Sequence, residues 1–201
     1  MIIRTAIAAD IRAINDIYNL AVDTRCSTGS MQHSTLDARL RWFQEHTPDR
    51  YPVLVADFRD GEEYSEDADL STGENSLRLT PLINSRGDHC SIPSSNNAQI
   101  AGWISLSTYR MGREGMRFTG EIGYYIHPDF QRRGIASALL AAMITRAKEI
   151  GYKTLIAIIF STNEGSLRLL TKHGFSQWGM LPDVVEIDDR IFSHLYCGKK
   201  I

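Results

Sequence analysis

Cysteine is scarce in this sequence. Cys26, Cys90 and Cys197 are the three in 201 residues, and they stand far apart. No close pair points to a zinc knuckle, a redox pair or a disulfide framework, so they read as reduced thiols of a cytoplasmic protein, and no metal is expected. Long apolar runs are missing too. No stretch approaches the roughly 18 apolar residues of a membrane-spanning helix, so no membrane partner is expected. The start, MIIRTAIAAD, has no basic region followed by an apolar core and a cleavage site, which argues against a signal peptide. Charge of one sign is absent as well. A formal net charge of -2 gives no concentrated basic face, so nucleic acid is not an expected partner. Neither the Gly-x-x-x-x-Gly-Lys-Ser/Thr loop nor a Gly-x-Gly-x-x-Gly turn after the first strand is present, and there is no internal repeat.

What is present is ordinary for a globular chain: 43% hydrophobic and 23% charged residues, enough for one substantial core. A single domain over residues 1–201 is the economical reading. Ile2–Arg4 reads as a strand and Ala9–Val22 as a helix with Ile11, Ile14, Ile17, Tyr18 and Ala21 on one face. A second helix is predicted from Leu36 to about Glu45, capped by Ser34 or Thr35. Tyr51–Phe58, Gln99–Ser107 and Glu121–His127 are strand patterns, the last two as antiparallel neighbours. A helix follows from about Gly134 to Ile150. Thr154–Phe160 is the most apolar run and reads as a buried strand. A short helix from Gly165 to His173, a strand starting at Phe175–Trp178 and a last strand at Arg190–Tyr196 complete the series. The order β-α-α-β-β-β-α-β-α-β-β indicates a mixed α/β sheet flanked by helices. About 61–97 is a polar insertion. It opens with seven acidic residues and one arginine in Asp57–Asp69, and Leu77, Leu79, Leu82 and Ile83 are its most buriable side chains. It is either a solvated excursion or a lid or partner surface.

The sharpest local signal is Tyr124–Ala136, YYIHPDFQRRGIA. A strand stops at Pro128, a turn carries Gln131, Arg132 and Arg133, and Gly134 opens a long helix. The first N–H groups of a helix have no intrahelical acceptor, and the helix dipole is positive there. With two arginines alongside, the turn suits a phosphate or pyrophosphate, and Gly134 lets the anion come close.

Gln131–Ala136 resembles the acyl-CoA pyrophosphate motif Gln/Arg-x-x-Gly-x-Gly/Ala of the GNAT superfamily of N-acetyltransferases. More of the chain is similar to its phosphinothricin/methionine-derivative acetyltransferase branch: the opening IRTAIAADIRAINDIYNLAV, RLRWF at 39–43, YPVLVA at 51–56, GWISLSTYR at 102–110, the run from Thr119 to Leu140, LIAIIFSTNEGSLRLLTKHGF at 155–175 and GML at 179–181. The resemblance covers nearly everything except about 61–97 and the last dozen residues. It implies a mostly antiparallel twisted sheet with a splayed strand pair for acyl-CoA. It implies acetyl-CoA as cosubstrate, with pantetheine against the backbone of Tyr125, Ile126 and His127. The pyrophosphate would take the N–H groups of Arg132, Arg133, Gly134, Ile135 and Ala136. Asn163 and Ser166 match the Asn-x-x-Ser pair near the thioester end. Equally, Asn163 reads as a helix cap and Ser166 as a first-turn residue. Glu121, seven residues before Pro128, matches the branch's general base, and the N–H near Ile126 would face the thioester oxygen.

Three departures concern the rest of the site. The position seven residues after Asn163, where a Tyr or His serves as general acid in relatives, is Leu170. His173, a helical turn away, is expected to face solvent. Tyr124 and Tyr125 alternate faces, so one approaches the site while the other packs. Thr24–Gln32 lacks the aromatic and acidic residues of the branch's acceptor stretch. Tyr109–Met116 keeps Arg110 and Arg113 as candidates for a substrate carboxylate, but Met116 replaces the second tyrosine, and the usual Lys and Trp further on are Ile187 and Ile191. The expected activity is therefore acetyl transfer to the primary amine of a small amino-acid-like acceptor. A peptide or protein N-acetyltransferase and a weakly active acyl-CoA-binding module are the alternatives. The resemblance also implies a homodimer, to which an off-face Trp42 and an edge-covering Ile191–Tyr196 tail would contribute, although Trp42 reads equally as a core residue. Residues 75–85 are expected to help shape the acceptor pocket.

Overall fold

The computed structural model describes residues 1–59 and 98–201. The insertion, including Leu77–Ile83 and the proposed role of 75–85, lies outside the described residues. The predicted element order stands: β1 (Ile2–Thr5), α1 (Ile11–Asp23), α2 (Leu36–Gln44), β2 (Val53–Arg59), β3 (Ala98–Thr108), β4 (Thr119–Ile126), α3 (Ile135–Glu149), β5 (Thr154–Phe160), α4 (Glu164–Lys172), β6 (Ser176–Ile187) and β7 (Arg190–Lys200). Ala9 and Asp10 belong to a 3-10 turn that leads into α1. Thr35 caps α2 by accepting from the Ala38 N–H at 3.2 Å.

The seven strands form one sheet in the order β1-β2-β3-β4-β5-β7-β6. All neighbours are antiparallel except β4 and β5. Apolar side chains cover both faces. On one, α3 buries Ile135, Leu139, Leu140, Met143 and Ala147 together with Leu106, Leu155 and Leu170. Each large aliphatic side chain buried there contributes roughly 1.5–3 kcal/mol. On the other, Ile14 and Ile17 of α1 meet Val53, Val55, Ile100 and Trp103, with Tyr18, Trp42, Phe43 and Tyr125 around them. Among the described residues no helix is long and apolar enough to cross a membrane.

Of the two readings of Trp42 the core one holds, and one expectation, on the tail, needs correction here. Trp42 packs into this second core, 5.4 Å from the Trp103 ring, because the Arg39 guanidinium, itself buried, draws the aromatic faces of Tyr18, Trp42 and Trp103 around it. Ile191–Tyr196 lies in β7, an interior strand; the edge on that side is β6. The β6–β7 hairpin turns through Asp188 and Asp189, both at positive φ, as a two-residue turn requires.

β1 and the turn before α1 are pinned by a buried ion cluster. Arg4 Nε donates to Asp57 at 2.7 Å, and its two terminal nitrogens donate to Asp10 at 2.7 and 2.8 Å. Both carboxylates hold the guanidinium charge and push its pKa further up.

Candidate active site

The site follows from the way β4 pairs. Its whole length is bonded to β3, but it pairs with β5 only at Thr119↔Thr154, Gly120↔Leu155 and Glu121↔Ile156. β5 continues to Phe160 against β7. The two parallel strands therefore splay after Glu121. The His127 N–H bonds the Ala101 carbonyl, and with the two-residue period of an antiparallel ladder the backbone of Tyr125 and Gly123 also faces β3. Tyr124 and Ile126 turn theirs into the notch, so the Tyr125 backbone expected at the pantetheine is taken by β3 and that of Tyr124 stands in its place.

Beyond His127 the chain runs through a 3-10 turn, Pro128–Phe130, into Gln131–Gly134. Arg132 and Gly134 both sit at positive φ, 62° and 81°. Only glycine adopts that conformation without strain, and a Cβ at Gly134 would meet nothing within 4 Å, so the space above the turn is open. The first hydrogen bond of α3 runs from the Ala138 N–H to the Gly134 carbonyl. The N–H groups of Ile135, Ala136 and Ser137 are left for a ligand. The open cradle, the notch and the exposed N–H groups fit the pyrophosphate and pantetheine of an acyl-CoA.

Notch and turn open into one cavity of about 480 Å³. Of the residues expected at the cofactor, Tyr125, Ile126, Gln131, Arg132, Gly134, Ile135, Ala136, Asn163 and Ser166 line it. His127 and Arg133 do not. The His127 carbonyl accepts from the Phe130 N–H, so both backbone groups of His127 are used inside the protein. The Arg133 guanidinium lies over the Phe130 ring, 5.2 Å from its centre. Asn163 does cap α4: its Oδ1 accepts from the Ser166 N–H at 3.0 Å. The cap leaves both residues on the cavity wall. His173 is half-buried rather than solvent-facing, because its Nε2 meets the Ser137 hydroxyl at 2.7 Å across α3 and α4. Burial lowers its pKa, helped by Lys172 and Lys199.

Glu121 is not on the cavity wall. It stands two residues before the lining residue Gly123 on the same face of β4, about 7 Å away along the strand. It is half-buried, and burial raises its pKa while Arg110 opposes the shift. Arg110 is thus brought near Glu121, although it and Arg113 are exposed and neither lines the cavity.

Several wall residues escaped the sequence. Leu20, Ala21, Thr24 and Ser27 close the cavity from the end of α1 and the loop after it. Thr24 and Ser27 fall in the Thr24–Gln32 stretch that matches the branch's acceptor region, so the sequence marks the loop but not these side chains. Tyr124 also lines the wall, its ring packed against the α3 and α4 core beside Leu170, which is fully buried. Tyr125 takes the opposite face, where its ring packs at a tilt 4.9 Å from Trp103 and edge-on 5.2 Å from Tyr18. Among the described residues no group of three His, Cys, Asp or Glu side chains could hold a metal.

Comparison with known proteins gives a consistent picture. The model of the Acetyltransferase (GNAT) family matches residues 39–175. An Escherichia coli L-amino acid N-acyltransferase, MnaT, is 30% identical over 92% of this chain and 84% of its own. An L-methionine sulfoximine/L-methionine sulfone acetyltransferase of Salmonella typhimurium is 28% identical over 92% of this chain and 85% of its own. Among solved structures, yncA of Salmonella typhimurium, determined with its cofactor acetyl-CoA, superposes with a TM-score of 0.75 at 27% identity, covering 99% of this chain and 92% of that one. The chain belongs to the GNAT acetyltransferase family, close to its phosphinothricin/methionine-sulfoximine branch, and is an acetyl-CoA-dependent N-acetyltransferase.

Proposed function

We propose that this enzyme acetylates the primary amine of a small amino-acid-like acceptor, with Glu121 as general base. The observation that carries the reading is the splay of β4 from β5 directly after Glu121, which opens the cavity two residues from that carboxylate. Acetyl-CoA supplies the activated acyl group. The turn N–H groups and Arg132 hold its pyrophosphate, and the free backbone of Tyr124 and Ile126 holds the pantetheine arm. The Ile126 N–H, turned into the notch, stabilises charge developing on the thioester oxygen. Glu121 takes the proton that the amine must lose, directly or through water. Its raised pKa suits that task, because a stronger base accepts the proton more readily. Arg110 and Arg113, at the Glu121 end, attract an acceptor carboxylate, as an amino-acid-like compound would carry.

The protein works in the cytoplasm as a homodimer in this reading. Support for the dimer comes from β6, an edge strand that exposes Trp178, Met180, Leu181 and Val184, with Ile191 beside them. Light scattering tests it: a monomer at working concentration removes the dimer from the account.

A thiol-release assay with acetyl-CoA against amino acids, simple amines and peptides tests the function. The expected outcome is turnover with a compound bearing both a primary amine and a carboxylate. Turnover restricted to peptides replaces the acceptor class. Tight CoA binding with no turnover on any amine contradicts the catalytic reading.

A further inference from the structure

The Tyr124 hydroxyl is buried and makes no hydrogen bond. A hydroxyl so placed costs stability, roughly 1–3 kcal/mol, and such groups in a folded protein call for a reason. Its surroundings supply one. The Tyr124 ring lines the cavity, and its hydroxyl lies near enough to Ser166 for that side chain to oppose the rise in its pKa that burial causes, yet without the geometry of a full hydrogen bond. Ser166 lines the same cavity, held there by the Asn163 cap. The next turn of α4 carries Leu170, which has no proton to give and lies wholly in the core against which Tyr124 packs.

Position on the strand completes the argument. Glu121 and Tyr124 are three residues apart on β4, so their side chains leave opposite faces of the sheet. Tyr125, on the Glu121 face, packs toward α1; Tyr124 packs toward α3 and α4. A base on one face and a hydroxyl pair on the other bracket the notch.

We infer that Tyr124, acting through the Ser166 hydroxyl, stabilises the CoA sulfur as it leaves. The inference rests on the acetyl-transfer reading and adds a positioning residue to it. In the reaction the amine nitrogen bonds to the acetyl carbon, and the carbon–sulfur bond breaks with its electron pair on sulfur. The amine's surplus proton passes to Glu121. The Ser166 O–H donates to the sulfur while Tyr124 donates to the Ser166 oxygen, and the thiolate takes a proton from water when CoA is released. Burial pushes the Tyr124 pKa up to about 12, which keeps its proton in place at working pH. Leu170 then leaves no gap in the chemistry.

The test uses the thiol pKa of bound CoA, followed by the ultraviolet absorbance of its thiolate as pH is raised. No acceptor is involved, so the result is independent of which amine is the substrate. In the wild type the bound thiol should ionise at lower pH than free CoA. Tyr124→Phe should move it up by about one pH unit, a tenfold loss of thiolate preference. Ser166→Ala should do at least as much, and the double variant should add little to Ser166→Ala alone. CoA affinity of Tyr124→Phe should be unchanged, and its thermal midpoint equal or higher, since only an unpartnered hydroxyl is lost. With an accepted amine, kcat should fall about tenfold at constant KM for acetyl-CoA. A bound-thiol pKa identical in wild type and Tyr124→Phe overturns the inference, whether or not turnover is found. A shifted thiol pKa with no turnover on any amine keeps the hydroxyl pair and sinks the transferase reading instead.

Discussion

The two ends of the cavity are built on different principles. At the α3 end the groups offered to a ligand are backbone N–H groups, set by two left-handed residues, Arg132 and Gly134, and by the start of a long helix. At the α1 end the wall is made of side chains: Thr24 and Ser27 from a loop, with Tyr125 held between Tyr18 and Trp103. A backbone site depends on chain geometry and tolerates most side-chain changes. A side-chain site is remade by single substitutions. The first kind suits a cosubstrate that never changes, and the second an acceptor that differs between enzymes of one fold.

The largest expected effect lies between the two ends. Glu121→Gln should lower turnover by about 10²–10⁴-fold and leave acetyl-CoA affinity unchanged. The loss should be greatest at a pH where the acceptor amine is mostly protonated. Kinetics alongside calorimetry decide it, and wild-type turnover across pH would make Glu121 a structural residue.

Next comes a contrast within the turn. Arg132→Ala should weaken CoA binding about tenfold or more, through loss of a charge-assisted contact. Arg133→Ala should change it little, because Arg133 does not line the cavity and its guanidinium is engaged over the Phe130 ring. Equal losses in the two variants would mean that charge near the turn, not contact, holds the pyrophosphate.

Ser27→Ala at the other end should leave CoA affinity alone and change the acceptor KM by a few-fold, about the worth of one neutral hydrogen bond. A change in CoA affinity would erase the distinction between the ends.

The smallest effect is on stability. Burial raises the Glu121 pKa in the folded protein, so the native state binds this proton more tightly than the unfolded chain. Stability therefore falls as pH rises from the ordinary glutamate range through the raised value. Glu121→Gln should remove that loss. Its thermal midpoint should exceed the wild type's at pH 8, and the difference should vanish near pH 4. A midpoint lower than wild type at pH 8 would contradict the burial argument.

Much of the fold was legible in the sequence because its elements are strongly periodic. Ile135, Leu139, Met143 and Ala147 announce α3, and Thr154–Phe160 is bounded by the strand's own limits. The turn was legible for the same reason: a proline, a glycine and a helix start leave few geometries open. Strand order was not. Nothing in Ile191–Tyr196 says that β7 inserts between β5 and β6, since that is a matter of long-range pairing. Nor does sequence say which way a backbone faces, so His127 was expected at the pantetheine although its N–H and C=O are both taken. The sequence leaves Trp42 equally open as an interface or a core residue, and the buried Arg39 guanidinium beside it explains why it packs inside. The α1 end was the least legible. Thr24 and Ser27 belong to the stretch that matches the branch's acceptor region, but with its aromatic and acidic residues missing nothing there singles out these two side chains.

The central claim is that the turn at Gly134 holds the pyrophosphate through its backbone. Calorimetry of wild type and Gly134→Val with CoA and with pantetheine, which lacks the phosphates, tests it most directly. A β-branched residue at φ 81° is strained, and its side chain would fill the open space above the turn. The account predicts that wild type binds CoA far more tightly than pantetheine and that Gly134→Val binds both weakly and alike. Wild-type CoA affinity in a folded Gly134→Val protein would contradict it.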